Sequence, residues 1–144
     1  SRGLGDVYKR QNITFSAAPS SSQTHHIIFL GQQLSSTSII VSSETVSGDG
    51  SGTDAVNKDR LVTFLNTSGG TSALTLATGS FAGQMKIITM NTAGNAATMT
   101  AANGNLNTTA VSTSIVWDAV GESVTLIYDG SKWIPISSIG ATIS

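Results

Sequence analysis

Short apolar runs separated by polar turns recur along most of the chain, at intervals of about ten to twelve residues. The turns between them are rich in Gly, Asn and Ser, which favour tight bends of the backbone. No window shows the apolar spacing of three and four residues that a long amphipathic helix requires. The pattern therefore predicts many short strands, as in sandwiches, barrels and β-solenoids. The predicted strands are 39–41, 61–65, 74–76, 85–90, 97–101, 114–117, 124–128 and 133–136.

The last two runs flank the dipeptide Asp129-Gly130, which predicts a β-hairpin. Val124, Leu126 and Tyr128 alternate with polar residues before the dipeptide, as in a strand with one buried face. Asp-Gly readily adopts the positive φ angles of a two-residue type I′ turn. We therefore expect residues 129 and 130 to form that turn.

Composition supports an all-β chain with few charges. Charged residues make up 10% of the 144 residues, while 22 are Ser and 19 are Thr. Hydroxyl and β-branched side chains favour strands and turns and disfavour helices. The net charge of −1 excludes the basic surface that nucleic-acid binding requires. The chain has no cysteine, and no apolar run approaches the length of a membrane span.

The chain divides into three parts. Residues 1–11 contain DVYKRQ, which resembles the translated end of an adapter used in sequencing libraries and common in metagenomic reading frames. We interpret this part as a non-native tail. Residues 12–38 are weakly patterned and Ser-rich, which indicates a linker or a fragment of a preceding domain. Residues 39–144 are predicted to form the all-β module.

Some predicted strands carry small residues on both faces, as AATMTA does at 96–101. Such strands bury little apolar area within one subunit, at about 25 cal/mol per Å². A thin core of this kind is often supplemented by contacts between chains. The composition therefore favours a homo-oligomer.

Three segments carry a resemblance to a known class of proteins. They are VTFLNTSGG followed by ALTLATGSFAGQMKIITM, the turn-rich NTAGNAATMTAANGN, and the closing VWDAVGESVTLIYDGSKW. Together they resemble a module of bacteriophage and large-virus virion proteins, namely tail fibres, head fibres and decoration proteins. The resemblance implies a compact β-sandwich, or a β-prism or short β-solenoid, that forms a homotrimer. It also implies a structural role in the virion, in assembly or host attachment, beside other virion proteins.

Two other functions stay open at this point. Proteins of this class include receptor tips that bind host surface glycans, and some tailspikes degrade polysaccharide. Trp117, Tyr128 and Trp133 are candidates for an aromatic platform under a sugar ring, although aromatic residues on terminal strands more often pack in a core or interface.

The candidate catalytic and metal-binding groups are sparse. Asp118, Glu122 and Asp129 are the carboxylates from which a glycosidase pair could be assembled. No G-x-S-x-G motif accompanies the many serines. The expectation is therefore a protein without catalytic residues.

We likewise expect that the chain binds no metal and no cofactor. DGSGTDAVN at 49–57 nearly matches the calcium-binding nonapeptide of β-roll proteins, but it occurs once and favours a flexible Gly-rich loop. His25 and His26 are adjacent, so on a strand they would point to opposite faces rather than bind one ion.

Overall fold

The computed structural model describes residues 42–144, which form ten strands and no helix. The predicted strand at 39–41, the two histidines, the tail at 1–11 and the segment 12–38 lie outside the described residues. No helix long and apolar enough to cross a membrane occurs among residues 42–144. The strands are β1 Ser43–Ser47, β2 Thr53–Val56, β3 Val62–Asn66, β4 Ser72–Leu76, β5 Met85–Thr92, β6 Ala97–Thr100, β7 Ser114–Trp117, β8 Ser123–Tyr128, β9 Trp133–Ile139 and β10 Thr142–Ile143.

The strands form two five-stranded sheets. Sheet A has the order β1-β3-β5-β8-β9, and sheet B has the order β10-β7-β6-β4-β2. The apolar residues of both sheets face each other and form a shared core, as in a β-sandwich. The predicted all-β sandwich is therefore confirmed.

The first six strands alternate between the sheets, so each consecutive pair makes one coil of a parallel winding. Ser43 pairs with Val62 and Val62 pairs with Ile87, all in parallel. Strands β2, β4 and β6 are parallel in the same way in sheet B. This part has the solenoid-like winding that the sequence allowed, and antiparallel strands β7 to β10 complete both sheets.

Strict alternation of side chains fills the core between the sheets. In β8, Val124, Leu126 and Tyr128 point inward and are buried, while the residues between them are half-buried on the outer side. The strand β6 contributes more than its small residues predicted, because Ala97 and Met99 are both fully buried. The segment therefore contributes one large side chain, that of Met99, to the core.

Two strands lie where the sequence predicted only turns and loops. Strand β1 has the sequence SETVS, with Val46 as its one apolar residue. Strand β2 covers Thr53–Val56, inside the segment 49–57 that was expected to be a flexible loop. Both are edge strands that pair on one side with the next coil. Their backbone bonds come from distant residues, so the local pattern did not reveal them.

Candidate functional site

The hairpin of β8 and β9 is antiparallel, and its last pair is Tyr128 with Trp133. Residues 129–132 connect the two strands, so the connection is longer than the predicted two-residue turn. Gly130 adopts a φ of 103°, whereas Asp129 is not among the described residues with positive φ. A type I′ turn needs positive φ at both central residues, so this is another kind of turn.

The carboxylate of Asp129 explains the different turn. Its Oδ1 accepts hydrogen bonds from the backbone amides of Ser131 and Lys132, both at 2.7 Å. The bond from the Lys132 amide, followed by that from Ser131, holds the pKa of Asp129 below its usual range. The side chain thus stays ionised as a cap of the turn.

The three candidate aromatic residues lie in the core. Trp117 and Trp133 are 0% exposed and Tyr128 is 6% exposed. The indole N–H of Trp133 donates to the carbonyl of Ala77 at 2.9 Å, and its ring is 5.1 Å from that of Tyr128. The indole N–H of Trp117 has no partner within residues 42–144. A sugar ring has no access to either indole in this arrangement, and all three side chains pack between the sheets.

Two of the candidate carboxylates, Glu122 and Asp129, lie at opposite ends of β8. Glu122 Oε2 accepts hydrogen bonds from the backbone amides of Asp118 and Ala119, at 2.6 and 3.1 Å, and closes the turn before β8. Asp129 follows β8, seven residue steps further along an extended strand, which is about 23 Å. Paired carboxylates of glycosidases lie at most about 9.5 Å apart. Glu122 and Asp129 therefore do not form such a pair.

The acidic residues of the calcium-like segment each bind a serine hydroxyl. Asp49 Oδ1 accepts bonds from the hydroxyl and the amide of Ser51, at 2.6 and 2.8 Å, which lower the pKa of Asp49. Asp54 Oδ2 accepts a bond from the hydroxyl of Ser72 on β4, at 2.5 Å. In the described part of the chain, no group of three or more His, Cys, Asp or Glu is arranged to hold a metal ion.

A buried cation joins the first coil to the centre of sheet A. Lys86 on β5 is 0% exposed. Its Nζ donates to the carbonyls of Asn57 and Arg60, at 2.8 and 2.7 Å, and to Glu44 Oε1 at 3.2 Å. Burial lowers the pKa of Lys86, while the hydrogen bond and charge of Glu44 oppose that shift. Three acceptors satisfy the three protons of the ammonium, so the group anchors the fold.

Glu44 is the centre of the same network. Besides Lys86, its Oε1 accepts hydrogen bonds from the hydroxyl of Thr63, at 2.5 Å, and from the amide of Asn57, at 2.9 Å. The strands β1, β3 and β5 and the loop after β2 thus meet at one carboxylate. Sequence reasoning missed this pair, although Lys86 lies in phase with the inward-facing Ile88 and Met90 of its strand.

An open cleft of about 290 Å³ lies beside this network, at the surface. Phe81 is 64% exposed at the cleft, and Lys58 Nζ bonds to Asp59 Oδ1 and to the hydroxyl of Ser80, both at 2.7 Å. Below them, Gln84 donates to the carbonyl of Lys58 at 2.7 Å. The cleft therefore combines one exposed aromatic ring with a carboxylate and an ammonium. An aromatic residue between the breakers Gly79 and Gly83 was the sequence signal for this surface.

A comparison with protein families identifies the sandwich. The model of the phage depolymerase C-terminal beta sandwich domain matches residues 42–134, which is well over half of the chain. No curated protein sequence matches the chain. The match supports a protein associated with the phage tail, in line with the resemblance of its closing motif to virion proteins. The chain therefore belongs to the family of phage depolymerase C-terminal beta sandwich domains.

Proposed function

We propose that the chain is a structural module of a phage tail fibre or a related virion protein, without catalytic residues of its own. The family match over residues 42–134 is the observation that carries this proposal. The hydrogen bonds of the acidic side chains agree with this proposal, because the carboxylates of Glu122 and Asp129 both accept hydrogen bonds from backbone amides in turns. Such groups stabilise a fold and are poorly placed to transfer protons.

Within the particle, the module would assemble as a homotrimer and support assembly or host attachment. The paucity of charges fits this role, because charged residues are depleted from the cores of protein interfaces. Its partners would be two further copies of the chain and neighbouring tail proteins.

Immunogold electron microscopy tests the structural role. Antibodies raised against the purified chain are applied to particles of a phage whose genome encodes it. Gold at the tail of intact particles is the expected result. Absence of label from intact and from gently disrupted particles would contradict a virion role.

A glycan-binding tip is the second candidate, and the cleft at Phe81 favours it. An exposed aromatic ring beside polar groups is the usual combination for stacking and hydrogen bonding to a sugar ring. On a glycan array, Phe81→Ala should abolish a sugar signal. Val120→Ala is the control and should keep the signal, because Val120 is as exposed as Phe81 but lies at the opposite end of β8. Signals that survive Phe81→Ala would exclude this cleft as the binding site.

Release of sugar from polysaccharide tests the remaining depolymerase alternative. The full chain is incubated with a panel of bacterial capsular polysaccharides, and new reducing ends are measured. We expect none above a heat-denatured control. Release that disappears in Glu122→Gln would overturn the proposal that the chain lacks catalytic residues.

A further inference from the structure

The outer face of sheet A, meaning the side chains that point away from sheet B, is unusually apolar. The register sets these residues beside one another: Val62 pairs with Ile87, and Ile127 pairs with Ile134. All four are half-buried, and Ile139 on the edge strand is 65% exposed. They share one face across β3, β5, β8 and β9, where Thr125 lies beside Ile87 and Met85 lies beside Ile127.

The outer face of sheet B shows that the fold does not require such a surface. Its outward residues are mostly small or carry hydroxyl groups, such as Ala73 and Thr98, and Val116 is the one bulky apolar residue among those of its five strands. Both sheets have three parallel strands and two antiparallel ones. The concentration of bulky apolar residues on one outer face therefore indicates contact rather than a demand of the backbone. Parallel strands with apolar residues on both faces are normally covered on both.

The absence of charged side chains from the outer face of sheet A indicates what kind of partner covers this face. The outward residues of the five strands of sheet A include no Asp, Glu, Lys or Arg, because Glu44 and Lys86 point inward. A symmetric contact brings identical residues together near the symmetry axis, where like charges would repel. Apolar side chains interspersed with Thr89 and Thr125 meet their own copies without that repulsion.

The size of the face also fits a contact between copies. The four strands that carry it, spaced about 4.8 Å apart and about five residues long, cover roughly 300 Å² in projection. That is at the lower end of the range for the largest apolar patch of a typical monomer, and less than half the area that each partner contributes to a standard interface. We therefore expect the contact between two copies to be weak.

We propose that the outer face of sheet A is the surface through which copies of this chain contact one another. This inference rests on the proposed assembly role and names the surface that performs it. The central residue is Ile87 on β5, the middle strand of the sheet.

Sedimentation velocity of the full chain tests the surface, with two matched variants. Ile87→Lys puts a charge at the centre of the face, and Thr98→Lys puts one at the equivalent place on sheet B. We expect Ile87→Lys to weaken association at least about 100-fold, since like charges in a contact repel strongly, and Thr98→Lys to associate as the native chain does. Association that is unchanged in Ile87→Lys overturns the proposed surface but leaves the structural role intact. A native chain that is monomeric at 100 µM overturns the self-assembly as well.

A second measurement does not depend on a disruptive substitution. The chain has no cysteine, so a single nitroxide label can be attached at Thr125→Cys on the face or at Thr98→Cys on sheet B. Dipolar broadening between labels at 50 µM is expected for Thr125→Cys and not for Thr98→Cys. Broadening confined to Thr98→Cys, or absent from both variants, would overturn the proposed surface.

Discussion

Replacing Lys86 by Met tests whether the buried ammonium anchors the first coil. The methionine keeps most of the aliphatic stem, so the apolar contacts of the side chain largely remain. The change removes three hydrogen bonds, to Glu44 and to the carbonyls of Asn57 and Arg60. It also leaves Glu44, whose side chain is 19% exposed, without its counter-charge.

The magnitude follows from the surroundings of Glu44. Removing one partner of a buried ion pair destabilises a protein by about 3–5 kcal/mol, because the remaining charge is uncompensated. Here Glu44 keeps its bonds from Thr63 and Asn57 and has some access to water, which reduces the loss. We expect the free energy of unfolding to fall by about 2–4 kcal/mol. For a domain of this size, that lowers Tm by roughly 8–16 °C.

Urea denaturation followed by tryptophan fluorescence measures the change, because both indoles are in the core. Lys132→Met is the matched control, since Lys132 lies exposed in the hairpin turn, and it should alter the free energy of unfolding by at most about 0.5 kcal/mol. Adding Glu44→Gln to Lys86→Met removes the unpaired charge and should recover part of the loss. A Lys86→Met variant as stable as the Lys132→Met control would refute the anchoring role.

Three further predictions concern the core and the hairpin. Gly79→Ala should lower the free energy of unfolding by about 1–3 kcal/mol, because a Cβ there would overlap the ring of Tyr128. Gly52→Ala is the control and should be neutral, because a Cβ at Gly52 has open space around it. Equal urea midpoints of the two variants would contradict this prediction. Trp133→Ala should cost about 3–5 kcal/mol through the cavity it leaves, measured by calorimetry, and a loss below 1 kcal/mol would place the ring outside the core. The Asp129 cap has a lowered pKa, so its stabilisation is complete above about pH 4 and is lost as the pH falls through that lowered value. Asp129→Asn should therefore weaken the pH dependence of the urea midpoint below pH 4, and an identical dependence would refute the cap.

Local patterns made the all-β class and most of the core predictable. In β5 and β8 the alternation of apolar and polar residues marks both the strand and its buried face. The hairpin depends only on neighbouring residues, so its strands were also visible. Its turn was not, because the carboxylate of Asp129 takes two amides and replaces the expected type I′ geometry.

The parallel winding could not be read from the sequence. Strands β1 and β2 are polar, and only pairing with residues about 20 positions further along makes them strands. The outward apolar surface of sheet A was likewise hidden, because whether Ile87 or Ile88 faces the core depends on the second sheet. The ion pair between Glu44 and Lys86 was hidden for the same reason, because only the pairing of strands distant in sequence brings these two residues together.

The mass of the full chain in solution tests the central claim, that this phage depolymerase C-terminal beta sandwich domain is a self-assembling structural module. Light scattering coupled to size-exclusion chromatography, loaded at 10–200 µM, measures it directly. The predicted result is a species of three times the 14.7 kDa of one chain, and its share of the total protein should rise with concentration. A single species of 14.7 kDa over the whole range would contradict it.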